Sequence, residues 1–151
     1  MRVSLDANVL VYALQSEERR HGIARDVVAR AIGGDCVQTL QSFAECFNAL
    51  VRKRRFDPAV AKAEVDRLKG NFLVEAAQAA DLDRAMWATE RHRIAFWDAM
   101  LWATARRAGC RILLSEDGHD GRDLEGVTFV SPFNPDNAKL LDLALPPVEP
   151  D

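Results

Sequence analysis

Residues Val3–Leu14 read VSLDANVLVYAL. Val3–Leu5 is a short apolar run that reads as a strand, and it ends on an acid, Asp6. From Ala7 to Leu14 the chain is apolar with few breaks, the pattern of a helix packed close to a sheet. A strand that passes through one acid into a buried helix is a unit of parallel sheets, because parallel neighbours need a crossover between them.

The alternation continues outward from this segment. Glu17–Ile32 carries Ile23, Val27, Val28 and Ala31 on one helical face and is stopped by Gly33-Gly34. Cys36-Val37 is a minimal second strand. Gln38–Arg55 reads as a helix with Thr39 and Ser42 as candidate caps and Phe43, Phe47, Leu50 and Val51 at helical spacing. Asp57-Pro58 reads as an N-cap with proline at the first helical position. The helix it starts buries Ala61, Val65 and Leu68 and meets a stop at Gly70. Phe72–Val74 fits a third strand. Asp81–His92 and Phe96–Ala108 read as successive helices closed by Gly109. Arg111–Leu114 is a buried strand, Ser115–Gly126 a polar loop, and Val127–Val130 a last strand ended by Ser131-Pro132. Asn134–Asp151 allows one short helix and then a proline-rich tail, PPVEP. Short strands separated by helices imply an α/β fold: a parallel sheet with helices on both faces. Ligands in such sheets sit beyond the carboxyl ends of the strands, so the acids placed there carry information.

The chain has 151 residues, 48% hydrophobic and 28% charged, which suits one soluble domain. It contains no run of about 18 apolar residues. Its N-terminus lacks the apolar stretch of a signal peptide, so the expected location is the cytoplasm. Three widely spaced cysteines, Cys36, Cys46 and Cys110, fit buried reduced thiols better than a disulfide framework. The formal net charge of −3 speaks against a nucleic-acid partner at first sight. Setting aside four carboxylates sunk in a metal site, however, moves the rest to +1. Basic clusters occur at Arg19-Arg20-His21, Arg52-Lys53-Arg54-Arg55, Arg91-His92-Arg93 and Arg106-Arg107. Nucleotide-binding loops of the GxGxxG or GxxxxGK[ST] type are absent, and so is a GxSxG elbow.

Four acids stand out. Asp6 follows a strand, with Asn8 two residues later; on its own it could equally cap the helix that starts at Ala7. Asp98 lies in FWDAMLWATA, and its neighbours at three and four residues are Ile94, Ala95, Leu101 and Trp102. An acid on such a stripe must be paired, protonated or bound to a cation, because burying a bare carboxylate is very costly. A buried salt bridge is the alternative. Glu45 is flanked by Gln41, Asn48, Ala49 and Arg52, and could face water or pair with Arg52. Asp117 follows the strand RILL, at another carboxyl edge, in a loop that also offers Asp120 and Asp123. Hard oxygen ligands suit Mg²⁺ or Mn²⁺ rather than zinc, and the three histidines have no metal-ligand spacing. Trp87, Trp97 and Trp102 sit at helical spacing with apolar residues and are expected in the core rather than as base-stacking platforms.

Taken together, these segments resemble a PIN domain. The strand ending in Asp6-Ala7-Asn8 resembles the family's opening. QTLQSFAECFNALVRK resembles the helix carrying its second acid, at Glu45. FWDAMLWATARRAGC resembles the helix of the third, at Asp98. ILLSEDGHDGRDLEGVTFVSPF resembles the final strand, acidic loop and closing strand, with Ser115 and Asp117 in matching places. The likeness runs from about Arg2 to Phe133. It implies a three-layer α/β/α PIN domain over residues 1–133, followed by an extension at 134–151. Within the family the chain is most similar to VapC-type toxins of bacterial toxin–antitoxin pairs. That likeness implies an endoribonuclease acting on structured RNA such as transfer or ribosomal RNA. It also implies a homodimer and a small antitoxin that covers the acidic pocket.

The chemistry expected is metal-assisted phosphodiester hydrolysis. Asp6, Asp98 and Asp117 would ligate one or two Mg²⁺ or Mn²⁺ ions. Glu45 would ligate as well or orient water, and Asp120 is a further candidate ligand. Asn8 and Ser115 would hold the carboxylates by hydrogen bonds. Three other readings are open. One is a phosphatase with Asp6 as nucleophile, although Asn8 stands where its acid belongs. Another is a PIN-like module that binds RNA or protein and cuts nothing. The third is an RNA-processing nuclease that is not a toxin.

Overall fold

The computed structural model describes residues 1–149; Pro150 and Asp151, the end of the proline-rich tail, lie outside the described residues. In chain order the elements are β1 (Val3–Leu5), α1 (Ala7–Leu14), α2 (His21–Gly33), β2 (Val37–Thr39), α3 (Leu40–Arg52), α4 (Pro58–Lys69) and β3 (Leu73–Glu75). They are followed by α5 (Ala79–His92), α6 (Phe96–Arg107), β4 (Ile112–Leu114), β5 (Asp123–Leu124), β6 (Val127–Val130) and α7 (Ala138–Ala144). The central sheet has the order β1-β4-β6-β5, with β1, β4 and β6 parallel and β5 an antiparallel edge. A separate parallel pair is formed by β2 and β3.

Strand pleating sorts the core into two layers. Val3, Leu5, Ile112, Leu114 and Val130 face α1 to α4, whereas Leu113, Val127 and Phe129 face α5 and α6. Successive side chains point to opposite faces, so three-residue strands suffice to seed both layers. Trp102 is fully buried in the second layer, and its indole N–H donates to the Leu124 carbonyl at 3.1 Å. The result is the expected three-layer α/β/α arrangement. No helix among the described residues is long and apolar enough to cross a membrane.

A side chain takes over from backbone where the two sheets meet. β1 touches β2 through a single bridge, Val3 to Cys36. One pleat on, the Gln38 carboxamide replaces backbone. Its Oε1 accepts from the Leu5 N–H at 2.7 Å, and its Nε2 donates to the Leu5 carbonyl at 3.1 Å. Gln38 therefore belongs to β2 rather than to the following helix, which Thr39 caps by accepting from the Ser42 N–H.

Other boundaries move for equally local reasons. Helix α2 begins at His21 rather than Glu17, and the Glu18 carboxylate instead holds Arg20 and Arg54. The stretch read as a polar loop contains β5, paired to β6. The segment after residue 133 is not packed separately: Leu141, Ala144 and Leu145 are buried in the same cluster as Val27 and Val28. Trp97 corrects the expectation that all three tryptophans are core. It is 62% exposed on the first turn of α6, while Trp87 stacks on Trp102 at 6.3 Å.

A Gln38→Leu protein keeps the volume but orphans the Leu5 N–H. Urea unfolding should show a loss of about 1–3 kcal/mol; an unchanged midpoint would mean the carboxamide bridge contributes nothing.

Candidate metal centre

Backbone ladders bring the first two site residues together. The Asp6 N–H continues the β1 ladder to the Leu114 carbonyl at 2.8 Å, and the Ser115 N–H continues β4 to Val130 at 3.0 Å. Asp6 and Ser115 therefore emerge side by side at the carboxyl edge. Ser115 Oγ donates to Asp6 Oδ2 at 2.8 Å, and the Ala7 N–H donates to Asp6 Oδ1 at 2.6 Å. Asp6 thus caps α1 with one oxygen and meets Ser115 with the other, so capping the helix does not take it out of the carboxyl edge.

Asp117 is placed by two further hydrogen bonds. Its N–H donates to Ser115 Oγ at 3.2 Å, and Asn8 Nδ2 donates to Asp117 Oδ1 at 3.2 Å. Asp98 comes from the first turn of α6. One oxygen each of Asp6, Asp98 and Asp117 lies within 4.8 Å of the others. These three line a cleft of about 290 Å³ with Asn8, Glu45, Asn48 and Lys53. Asp98 has no arginine partner among the described residues. His119 Nε2 stands 3.7 Å from its Oδ2, a counter-charge only when the imidazole is protonated.

Glu45 lines the same cleft without joining the close group of three. It accepts from Gln41 Nε2 at 3.3 Å and does not pair with Arg52. Asp120 lies elsewhere. Its carboxylate accepts from the Ser131 N–H and from Asn134 and Asn137, closing the turn that leads to α7. Lys53 and Asn48 line the cleft without having been expected there, and His119 stands beside Asp98 without lining it. Lys53 belongs to the basic run Arg52-Lys53-Arg54-Arg55, and Asn48 lies one helical turn from Glu45.

The electrostatics follow from crowding. Burial pushes the Asp6 carboxyl up to about 7; the Ser115 and Ala7 hydrogen bonds oppose the shift, and the Asp117 and Asp98 charges add to it. Burial and then Asp117 raise Asp98, with His119 acting the other way. Burial also raises Glu45, against its Gln41 bond and with the charges of Asp98 and Asp117. Hard carboxylate oxygens, mutually repelling and fixed by Ser115 and Asn8, are a donor set that fits Mg²⁺ or Mn²⁺.

A PIN domain family model matches residues 3–120. The chain belongs to the PIN domain family. Among curated proteins none matches it in sequence. Solved structures share the fold. VapC20 of Mycobacterium tuberculosis, a sarcin–ricin-loop-cleaving toxin, is 24% identical with a TM-score of 0.65, over 77% of this chain and 90% of that one. A toxin–antitoxin complex from Klebsiella pneumoniae gives 18% and 0.62, over 87% and 98%. VapBC2 of Rickettsia felis, bound to a DNA fragment from its promoter, gives 12% and 0.64, over 87% and 98%. The matched span of the PIN domain contains Asp6, Glu45, Asp98 and Asp117.

Folded Asp6 titrates near 7 and an unfolded aspartate near 3.8, so the metal-free PIN domain binds the extra proton between those values. Its stability should fall as pH rises through that window, and a divalent cation should restore it by binding the ionised form. Melting in EDTA and in millimolar Mn²⁺ checks this. The Mn²⁺ increment should be larger at pH 8 than at pH 5, and equal increments would exclude the carboxylate cluster as the binding site.

Proposed function

We propose that this PIN domain is a metal-dependent endoribonuclease and the toxin of a toxin–antitoxin pair. The observation that carries the reading is the convergence of Asp6, Asp98 and Asp117 from a strand end, a helix and a loop. Family membership and the likeness to toxin–antitoxin complexes support it. Structured RNA, of the transfer or ribosomal kind, is the proposed substrate, and a homodimer inhibited by a small antitoxin is the proposed assembly.

Asp6, Asp98 and Asp117 would hold the cation, Mg²⁺ or Mn²⁺, with Glu45 at its edge. Such an ion supplies charge for the scissile phosphate and makes water a better nucleophile at neutral pH. The chain's own residues do the positioning. Ser115 fixes Asp6 and Asp117 with one hydroxyl, and Asn8 fixes the other side of Asp117. Gln41 turns Glu45 toward the cleft. Lys53, at the cleft wall, meets a phosphate that approaches the carboxylates, and exposed Arg52 and Arg55 extend that charge.

Asp6 as a phosphatase nucleophile fits the geometry poorly. It is 5% exposed, which leaves a phosphate no in-line approach, and Asn8 stands where the general acid of such an enzyme belongs.

In a cleavage assay on structured RNA with Mn²⁺, Asp98→Asn should reduce activity to that of protein in EDTA without lowering the melting temperature. Ser115→Ala should lose about 10- to 100-fold, with weakened Mn²⁺ affinity. Full cleavage by Asp98→Asn would remove Asp98 from the mechanism.

A further inference from the structure

Trp97 directly precedes Asp98 and is 62% exposed, an expensive position for an indole unless something covers it. It does not stand alone. With Gln41, Ala44, Glu45 and Asn48 it lines a second cleft beside the carboxylates. Glu45 and Asn48 line both clefts, so the two share a wall. Phe96 meets the indole edge-on at 5.0 Å and steadies it. The Gln41 carboxamide is anchored through Nε2, to the Trp97 carbonyl at 2.9 Å and to Glu45 at 3.3 Å. Its Oε1, and the whole Asn48 carboxamide, make no hydrogen bond among the described residues.

We propose that Trp97, Gln41 and Asn48 form a seat for one unpaired RNA base adjacent to the phosphate at the carboxylates. This rests on the RNA-binding half of the proposed function and names its substrate class: RNA with an unpaired nucleotide at the cut. The indole offers a flat π-face, and the two carboxamides offer donors and acceptors to a base edge. An apolar protein side chain placed here would instead cover the Gln41 Oε1 and the Asn48 carboxamide without giving them partners. A base inside a duplex cannot reach the indole, because its faces are already stacked.

Two single-stranded probes test this on the full chain: a short oligoadenylate, and an abasic oligomer of the same length and charge. Trp97→Ala should melt as the parent does and bind oligoadenylate between about 5- and about 100-fold more weakly. Its affinity for the abasic oligomer should be unchanged, and Trp97→Phe should recover part of the loss. Equal losses on both probes, or no loss on either, would overturn the base seat. So would an altered sedimentation coefficient with unchanged RNA affinity, which would assign the indole to a protein interface. Cleavage of structured RNA is scored separately. A protein that binds oligoadenylate through Trp97 but cuts no RNA retains the seat and loses the nuclease reading. One that cuts RNA equally well with Trp97→Ala does the reverse.

Discussion

Three carboxylates held within 4.8 Å of one another repel, and the rest of the site is arranged around that repulsion. The fold does not relieve it with an arginine. It holds Asp6 and Asp117 in place with uncharged donors, the Ser115 hydroxyl, the Asn8 amide and the Ala7 N–H. Neutral donors orient a carboxylate without cancelling its charge, so the negative field in the cleft survives folding. A guanidinium at the same distance would have stabilised the fold and occupied the place of a cation. The arginines of this chain are directed elsewhere: Arg107 to Asp81 and Glu75, Arg20 to Glu116 and Glu18, Arg30 to Asp26 and Asp142.

The means of fixing Asp6 reaches back through the whole sheet. Its position is set by the β1 ladder to β4, and β1 is held on its other side by Gln38. A side chain stands in for backbone at that seam, so sheet and helix α3 stay in register although β2 and β3 form their own pair. Ser42 adds a second donor to the Leu5 carbonyl at 2.9 Å. The seam and the site are therefore one structure, and buried polar groups concentrate where the acids are placed: Ser4, Asp6, Gln38, Thr39, Ser42 and Ser115.

How much of this was legible in sequence depended on whether the signal was local. The strands, the helices and the acids at strand ends follow from apolar periodicity and from chain position. Asp98 was legible because an acid among Ile94, Leu101 and Trp102 is conspicuous. Gln38 was not: it reads as the start of the helix that runs to Arg55, and its role depends on Leu5, 33 residues away. Strand β5 was hidden because two residues carry no period. Asp120 looked like a ligand by proximity, yet its partners Asn134 and Asn137 come from a turn that sequence spacing cannot place. Trp97 shows the limit most clearly. Five residues separate it from Trp102, so the two indoles leave α6 on different sides, and the side of Trp97 is the one beside Gln41 and Asn48 of α3, where nothing in the sequence says what covers it.

For the proposed RNA substrate, that face of α3 supplies a direction. Gln41, Glu45, Asn48 and Arg52 recur at three- and four-residue steps, and Lys53 follows at the helix end, so the residues between Trp97 and Lys53 lie along one side of a helix for about 18 Å. The aromatic end carries no cation and the far end carries Arg52, Lys53 and Arg55, with the carboxylates between them. A polyanion with flat bases has a natural orientation on such a track, base toward the indole and backbone toward the cations. A compact phosphate ester would fill only the middle of it. The length of the track, more than the acids alone, favours a polymeric substrate over a small one.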